Sequence, residues 1–488
     1  MSVAVLRRAN LRIVRNRGGF ALFAFSARAL EQVSTLVITL LAARFLEPAD
    51  FGVFSLANVF VILVQTLTYT GIFQFVLVAK AEDSLVVSTC FWLILALVGA
   101  ASLFLAAIAF PLEWLFGAKE LGLVLLLLAM AQPVASIVAW SSATLLRRQA
   151  VALNFKFVFV ENLVALISGA ILLWYWHSLY ALVAARYVRI LFGAVLFVVA
   201  GRTWPMFQFS MALARKATVF SSNLYGSRFL AFLARYAGDV MLGLFHSPAD
   251  VGLYRFGNRI ATGATDILTQ PMSNFAATQF GNSARQEQDL AGPLARFSGT
   301  VALLTGMAGA VIIVFGRDIV SAFFQPSYLA ALVVTYAMSL RGVAGAGQLL
   351  VEPAFAALDR THWVMMFNLI AAALSVAAIL IATPFGIAAL AWSQAFVVLI
   401  TTIWGFHLIR WKGHVRVGPA VRKFIAAGAL GLAYFLMLYA LRHCGFLIMS
   451  APPITTLVIG LLASAMLGLV FLAMAYRLRI FSLEVFSG

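Results

Sequence analysis

Apolar residues fall along this chain in runs of about twenty, each closed by a short polar or basic stretch; as a helix, a run of that length matches the hydrocarbon of a bilayer. The breaks place fourteen spans, at residues 20–44, 52–78, 85–110, 120–142, 155–176, 178–200, 218–245, 252–279, 297–316, 328–350, 362–383, 385–409, 423–442 and 453–476. The pattern predicts an all-α integral membrane protein. Two of the runs end on one repeated phrase, FLEPADFGVFSLAN at 45–58 and FHSPADVGLYRFGN at 245–258. Phe45, Pro48, Ala49, Asp50, Gly52 and Asn58 recur at constant spacing as Phe245, Pro248, Ala249, Asp250, Gly252 and Asn258, and upstream Arg28 and Leu30 fall on Arg228 and Leu230.

In both copies Pro-Ala-Asp follows an apolar run, and Asp50 or Asp250 is expected to cap a new helix opening on Phe51-Gly52 or Val251-Gly252. The phrase reads as a tight helical hairpin and marks an internal duplication. Since spans 1 and 7 open the copies, each repeat holds six helices. An even number returns the chain to its starting side, so the expectation is two parallel six-helix lobes with a cleft between them and spans 13 and 14 appended. The layout is a basic N-terminus (1–19), an N-lobe (20–200), a linker (201–217), a C-lobe (218–409), a basic loop (410–422), and spans 13 and 14 with a tail (423–488).

Charge tests that count. With the N-terminus inside, the stretches assigned to the cytoplasm collect twenty-two Lys/Arg, against four outside at Arg44, Lys119, Arg317 and Arg442. The skew supports fourteen spans with both termini cytoplasmic. The first apolar stretch carries Arg28 and Glu31 and lacks a convincing cleavage site, so span 1 is expected to stay as a signal anchor. The net charge of +17 is thereby explained by short loops facing anionic lipid, and nucleic-acid binding is set aside. A chain that is 63% hydrophobic and 10% charged has no soluble core to build. Cys90 and Cys444 form neither a disulfide framework nor a metal site.

Eight arginines remain at membrane depth: Arg28, Arg186, Arg189, Arg228, Arg235, Arg255, Arg259 and Arg341. Each costs about 2.5–3.5 kcal/mol at a helix centre and therefore needs a partner or a wet cavity. The acidic candidates are Glu31, Glu161, Asp239, Asp266 and Glu352, fewer than the arginines. Arg28 with Glu31, and Arg235 with Asp239, are spaced to pair along one helix face. Arg259 and Asp266 share a face without touching. The plain alternative is ion pairing that fixes helix packing, with Arg255 and Arg44 reaching to the headgroups. The positive excess, and the arginines at matched repeat positions, instead predict a wet cationic cavity whose forked donors suit a phosphate-bearing solute.

Gln132-Pro133 and Gln270-Pro271 place proline inside spans 4 and 8, where a bend serves either rocking or a static bundle. Gly342, Gly345 and Gly347 permit close helix approach, and Trp174, Tyr175 and Trp176 read as an interfacial anchor. There is no Walker loop, dinucleotide fingerprint or His/Cys cluster, so no enzyme is expected.

The phrases ARFLEPADFGVFSLAN and GLFHSPADVGLYRFGNRI, with the fourteen-span layout, resemble bacterial polysaccharide flippases of the Wzx type, in the succinoglycan-class branch of the multidrug/oligosaccharidyl-lipid/polysaccharide exporter superfamily. The resemblance implies two six-helix lobes around a central cavity. The implied cargo is a polyprenyl-diphosphate-linked oligosaccharide, moved from the cytoplasmic to the periplasmic leaflet of the inner membrane by alternating access. It points to the charged first helices of each lobe, here Arg28, Glu31, Arg228, Arg235, Arg255 and Arg259; the charge reading adds Arg341 to the cationic lining and takes Glu31, Asp239 and Asp266 as ion-coupling or pairing groups. The last two helices form a groove for the lipid tail in related flippases. No cofactor is expected; H+ or Na+ coupling, the membrane potential, or withdrawal of product by a polysaccharide polymerase would drive net movement. Partners would be membrane lipids, a polymerase and a chain-length regulator. Two rivals stand beside this reading: a cation-coupled drug antiporter of the same superfamily, which would depend on Asp239 or Asp266, and a non-transporting scaffold, which would survive loss of the arginines.

Overall fold

The computed structural model describes residues 34–80, 83–443 and 453–486. Arg28, Glu31 and Cys444 lie outside them. Every regular element among the described residues is helical. The chain divides into two compact units, Met1–Leu46 with Val53–Phe232, and Glu47–Gly52 with Leu233–Gly488.

The first unit contains α1 (Ser34–Phe45), most of α2 (Pro48–Thr68), α3 (Thr70–Val78), α4 (Asp83–Phe116), α5 (Leu121–Arg147), α6 (Val151–Trp176) and α7 (Leu179–Val195), which runs on as a π turn to Ala200. Its core packs α4 on α5 around buried Ile72, Val86, Phe91 and Trp140, and α6 on α7 with its π turn around Phe157 and Phe197. Arg147 closes one end of it. Its guanidinium donates to the Val76 and Ala79 carbonyls, which the end of α3 leaves without helical partners, and to Asp83 at the start of α4.

A long helix, α8 (Met211–Phe245), begins in the first unit and ends in the second, which continues with α9 (Pro248–Arg285), α10 (Ala291–Phe323), α11 (Leu332–Ala344), α12 (Val351–Ala357), α13 (Thr361–Ala382), α14 (Ile387–Gly413), α15 (Gly418–His443) and α16 (Pro453–Arg477). The two appended helices are built into this unit. α15 lies along α10, where Gly306 and Gly431 meet so closely that a Cβ on Gly431 would stand 3.5 Å from the Gly306 Cα. Arg442 locks the far end, 2.9 Å from Asp318 and donating to the Val314 carbonyl.

Eleven helical stretches among the described residues are long and apolar enough to cross a membrane. Leu103 and Phe104 on α4, Met365 and Ile381 on α13, and Met466 and Leu469 on α16 are exposed, as lipid-facing side chains must be. Trp114, Trp174, Tyr175 and Trp176 are exposed at helix ends, the position of interfacial aromatics. The protein is a multi-pass membrane protein. α8 and α9 stand apart from the eleven: at 35 and 38 residues they are longer than a bilayer requires, but charged and uncharged polar residues together keep them from counting as apolar.

Three sequence expectations change. The linker placed at 201–217 yields its last residues to α8, because Met-Ala-Leu-Ala-Arg-Lys-Ala are strong helix formers that extend the helix beyond the apolar run. The run at 328–350 is broken after α11, where Gly342, Gly345 and Gly347 weaken the helix and a 3₁₀ turn, Gln348–Leu350, intervenes. Gly342 and Gly347 are spent on close approach, since an added Cβ would lie 2.8 Å from Thr265 and 2.6 Å from Phe406.

The third change concerns the repeated hairpin. The helices open at Pro48 and Pro248, so Asp50 and Asp250 sit within the first turn and do not cap. Proline suits the first helical position, having no N–H to leave unpaired, and a carboxylate there favours the positive end of the helix dipole. In the second copy Ser247 is the cap: its hydroxyl accepts from the Asp250 N–H and donates to the Asp250 carboxylate, at 3.2 and 2.6 Å. The repeated glycines have a separate reason. A Cβ on Gly52 would fall 1.7 Å from the Pro248 carbonyl oxygen, and one on Gly252 would fall 2.0 Å from that of Pro48. Within the second unit, then, the two copies of the phrase cross backbone to backbone, and neither glycine has room for a side chain.

Candidate functional site

The second unit gathers the charges of α8, α9 and α11 into one cluster. Asp239 on α8 is buried, and its Oδ1 lies 2.7 Å from the Nε of Arg255 on α9. This contact replaces the pairing of Asp239 with Arg235 expected from their spacing: the neighbouring helix supplies the partner in place of the residue one turn away. Arg235 is left exposed. The Arg255 guanidinium also lies 4.8 Å from the Tyr236 ring centre, a cation–π distance.

One and three turns beyond Arg255 along α9 come Arg259 and Asp266. Arg259 lies in the field of Asp266 and Arg255, and Asp266 in that of Arg259, Arg235 and Arg341. Arg341, on α11, makes a 3.7 Å contact with the Met338 sulfur and no carboxylate contact among the described residues. Four guanidinium groups thus share these helices with two carboxylates, Asp239 paired with Arg255 and Asp266 in the field of the other three. The arrangement has net positive charge and donors in forks, which is what an anion with several oxygens requires. Of the remaining sequence candidates, Arg228 is half-buried on α8 in the first unit and makes no ion pair among the described residues. Arg28 and Glu31 lie outside those residues.

The first unit holds a polar cluster that sequence reasoning did not select. Arg186 on α7 donates to the Asn58 amide oxygen of α2 at 2.9 Å, and Arg189, one turn on, donates to Glu161 of α6 at 2.9 Å. The Tyr69 side chain lies in the field of all three charges. Nearby, Gln65 donates to Gln132, which donates in turn to the Leu128 carbonyl beside Pro133. The signal was present in the sequence, as Arg186, Arg189 and Glu161 all lie at membrane depth and Asn58 is one of the repeated positions.

Long apolar helices, a duplicated hairpin and two over-polar helices carrying an arginine cluster define a transporter-like membrane fold. It is similar to the lipid II flippase MurJ in an inward closed conformation, with a TM-score of 0.71 at 12% identity over 94% of this chain and 98% of that one. It is also similar to an inward-facing multidrug resistance MATE family transporter of the MOP superfamily, with a TM-score of 0.60 at 12% identity over 80% and 98%. No curated protein matches the sequence. Residues 41–306 match the family described as polysaccharide biosynthesis protein, and the chain belongs to that family.

Proposed function

We propose that the protein is a flippase that carries a polyprenyl-diphosphate-linked oligosaccharide from the cytoplasmic to the periplasmic leaflet by alternating access, in the export of a surface polysaccharide. The observation that carries this reading is the cluster of Arg235, Arg255, Arg259 and Arg341 around Asp239 and Asp266. Membership of a polysaccharide biosynthesis family and the likeness to a lipid II flippase fold support it. α1, α8 and α9 complete fourteen spans with the eleven apolar stretches, and the charged α8 and α9 are tolerated because their polar faces meet a headgroup in place of lipid. The diphosphate binds the guanidinium groups while the prenyl chain stays in hydrocarbon. Net movement draws on H+ or Na+ binding at Asp239 or Asp266, or on removal of the product.

Deletion of the gene should abolish the surface polysaccharide and leave its lipid-linked unit on the inner leaflet. A variant carrying Arg259→Gln and Arg341→Gln, expressed at normal levels, should fail to restore export; full rescue would overturn the assignment. A second reading, cation-coupled drug antiport, is favoured by the buried Asp239 and the MATE-like fold. It predicts that Asp239→Asn abolishes drug resistance while the arginine changes do not.

A further inference from the structure

A second basic site lies in the second unit, between the end of α14 and the start of α15. A cavity of about 850 Å³ is lined there by Arg410, Arg416 and Arg422 at its mouth and by Val421, Ile425, Ala426 and Ala429 along its wall. The geometry has two parts with different chemistry. Val421, Arg422, Ile425, Ala426 and Ala429 recur at the three- and four-residue spacing of one helix face, so a cation sits at the head of an apolar stripe that runs down α15 toward the middle of the span. The stripe ends on alanines, whose small side chains leave an apolar trough.

The mouth lacks anionic partners. No carboxylate lines the cavity, and Arg410, Arg416 and Arg422 make no ion pair among the described residues. The depth of this mouth is marked by its neighbours: Trp411 follows Arg410 and is exposed, and the Lys412 ammonium lies 3.6 Å from its ring and 4.9 Å from that of Trp363. Indoles paired with a lysine belong at headgroup level, on the side that the charge pattern assigns to the cytoplasm.

We propose that this cavity is a binding site for an anionic glycerophospholipid of the cytoplasmic leaflet, its headgroup phosphate held by Arg410, Arg416 and Arg422 and one acyl chain laid along Ile425, Ala426 and Ala429. Three guanidinium groups with no ion pair among the described residues favour a headgroup of more than one negative charge, such as a diphosphatidylglycerol, over a zwitterionic one. The site is independent of the α8–α9 cluster and does not rest on the transport reading.

The test uses the full-length protein in detergent, with native mass spectrometry counting bound lipid and thermal unfolding measured as lipid is added. Diphosphatidylglycerol should bind and raise the unfolding temperature, while phosphatidylethanolamine and inorganic phosphate should not. The variant Arg410→Gln, Arg416→Gln, Arg422→Gln should weaken binding about a hundredfold. Ala429→Trp, which fills the trough and leaves the charges in place, should also weaken it, and serves where the triple variant does not fold. Unchanged binding in either folded variant overturns the proposal. So does an equal shift from inorganic phosphate, or displacement of the phospholipid by polyprenyl diphosphate at lower concentration, which would make this a substrate site.

Discussion

Asn58 and Asn258 hold the same place in the two copies of the repeated phrase but meet different surroundings. In the first unit Asn58 accepts from Arg186, and the next arginine, Arg189, is answered by Glu161. In the second unit the Asn258 amide oxygen is buried and accepts no hydrogen bond among the described residues, while four arginines and two aspartates lie on the helices close by. Duplication supplied the same helices twice, and divergence left one surplus arginine, hydrogen-bonded to Asn58, in the first copy's cluster and two surplus arginines in the second's. A buried network that is complete acts as structure; one that carries surplus charge has capacity for a ligand.

The largest effect that would break this comparison lies at Asp239. Arg255→Ala should cost about 3–5 kcal/mol, because it strands a buried carboxylate. Glu161→Gln in the first unit should cost under about 1 kcal/mol, since Arg189 is partly exposed and keeps a hydrogen-bonding neighbour. Thermal unfolding of the purified variants measures both, and combining Arg255→Ala with Asp239→Asn should recover most of the loss.

The crossing of the two hairpins comes next. Gly52→Ala and Gly252→Ala should each cost about 1–3 kcal/mol by overpacking against a proline carbonyl. Gly99→Ala, at a helical glycine with open space around it, should cost nothing and gain up to about 1 kcal/mol of helix propensity. Equal effects at the three positions would show that the crossing is not tightly packed.

The smallest effect distinguishes the copies at their caps. Ser247→Ala should cost about 1 kcal/mol through loss of the capping hydroxyl. The matching residue of the first copy is Glu47, and Glu47→Ala should be nearly silent by the same measurement.

Much of the fold was legible because a bilayer imposes length and hydropathy on every crossing helix, so the runs at 85–110 and 385–409 led directly to α4 and α14. The charged helices were legible for another reason, as their arginines stood out against an apolar background. What the sequence did not show was which helix neighbours which. Asp239 had Arg235 one turn away, and only the packing of helices in three dimensions reveals that Arg255, on α9, is its partner. The repeated aspartates looked like caps because their spacing to the next apolar run is right; the prolines before them start the helix three residues sooner. Arg410, Arg416 and Arg422 entered the sequence reading as loop charges, since nothing in one dimension places them around an apolar trough.

The central claim is that surplus cation in the second unit binds a diphosphate headgroup, and it is tested most directly by titrating purified protein with a polyprenyl diphosphate. Arg259→Gln with Arg341→Gln should weaken binding at least about tenfold, at the strength of charge-assisted phosphate contacts. Arg186→Gln in the first unit should leave it within about twofold, because that guanidinium is already held by Asn58. Equal losses from both changes, or no loss from the first, would contradict the account.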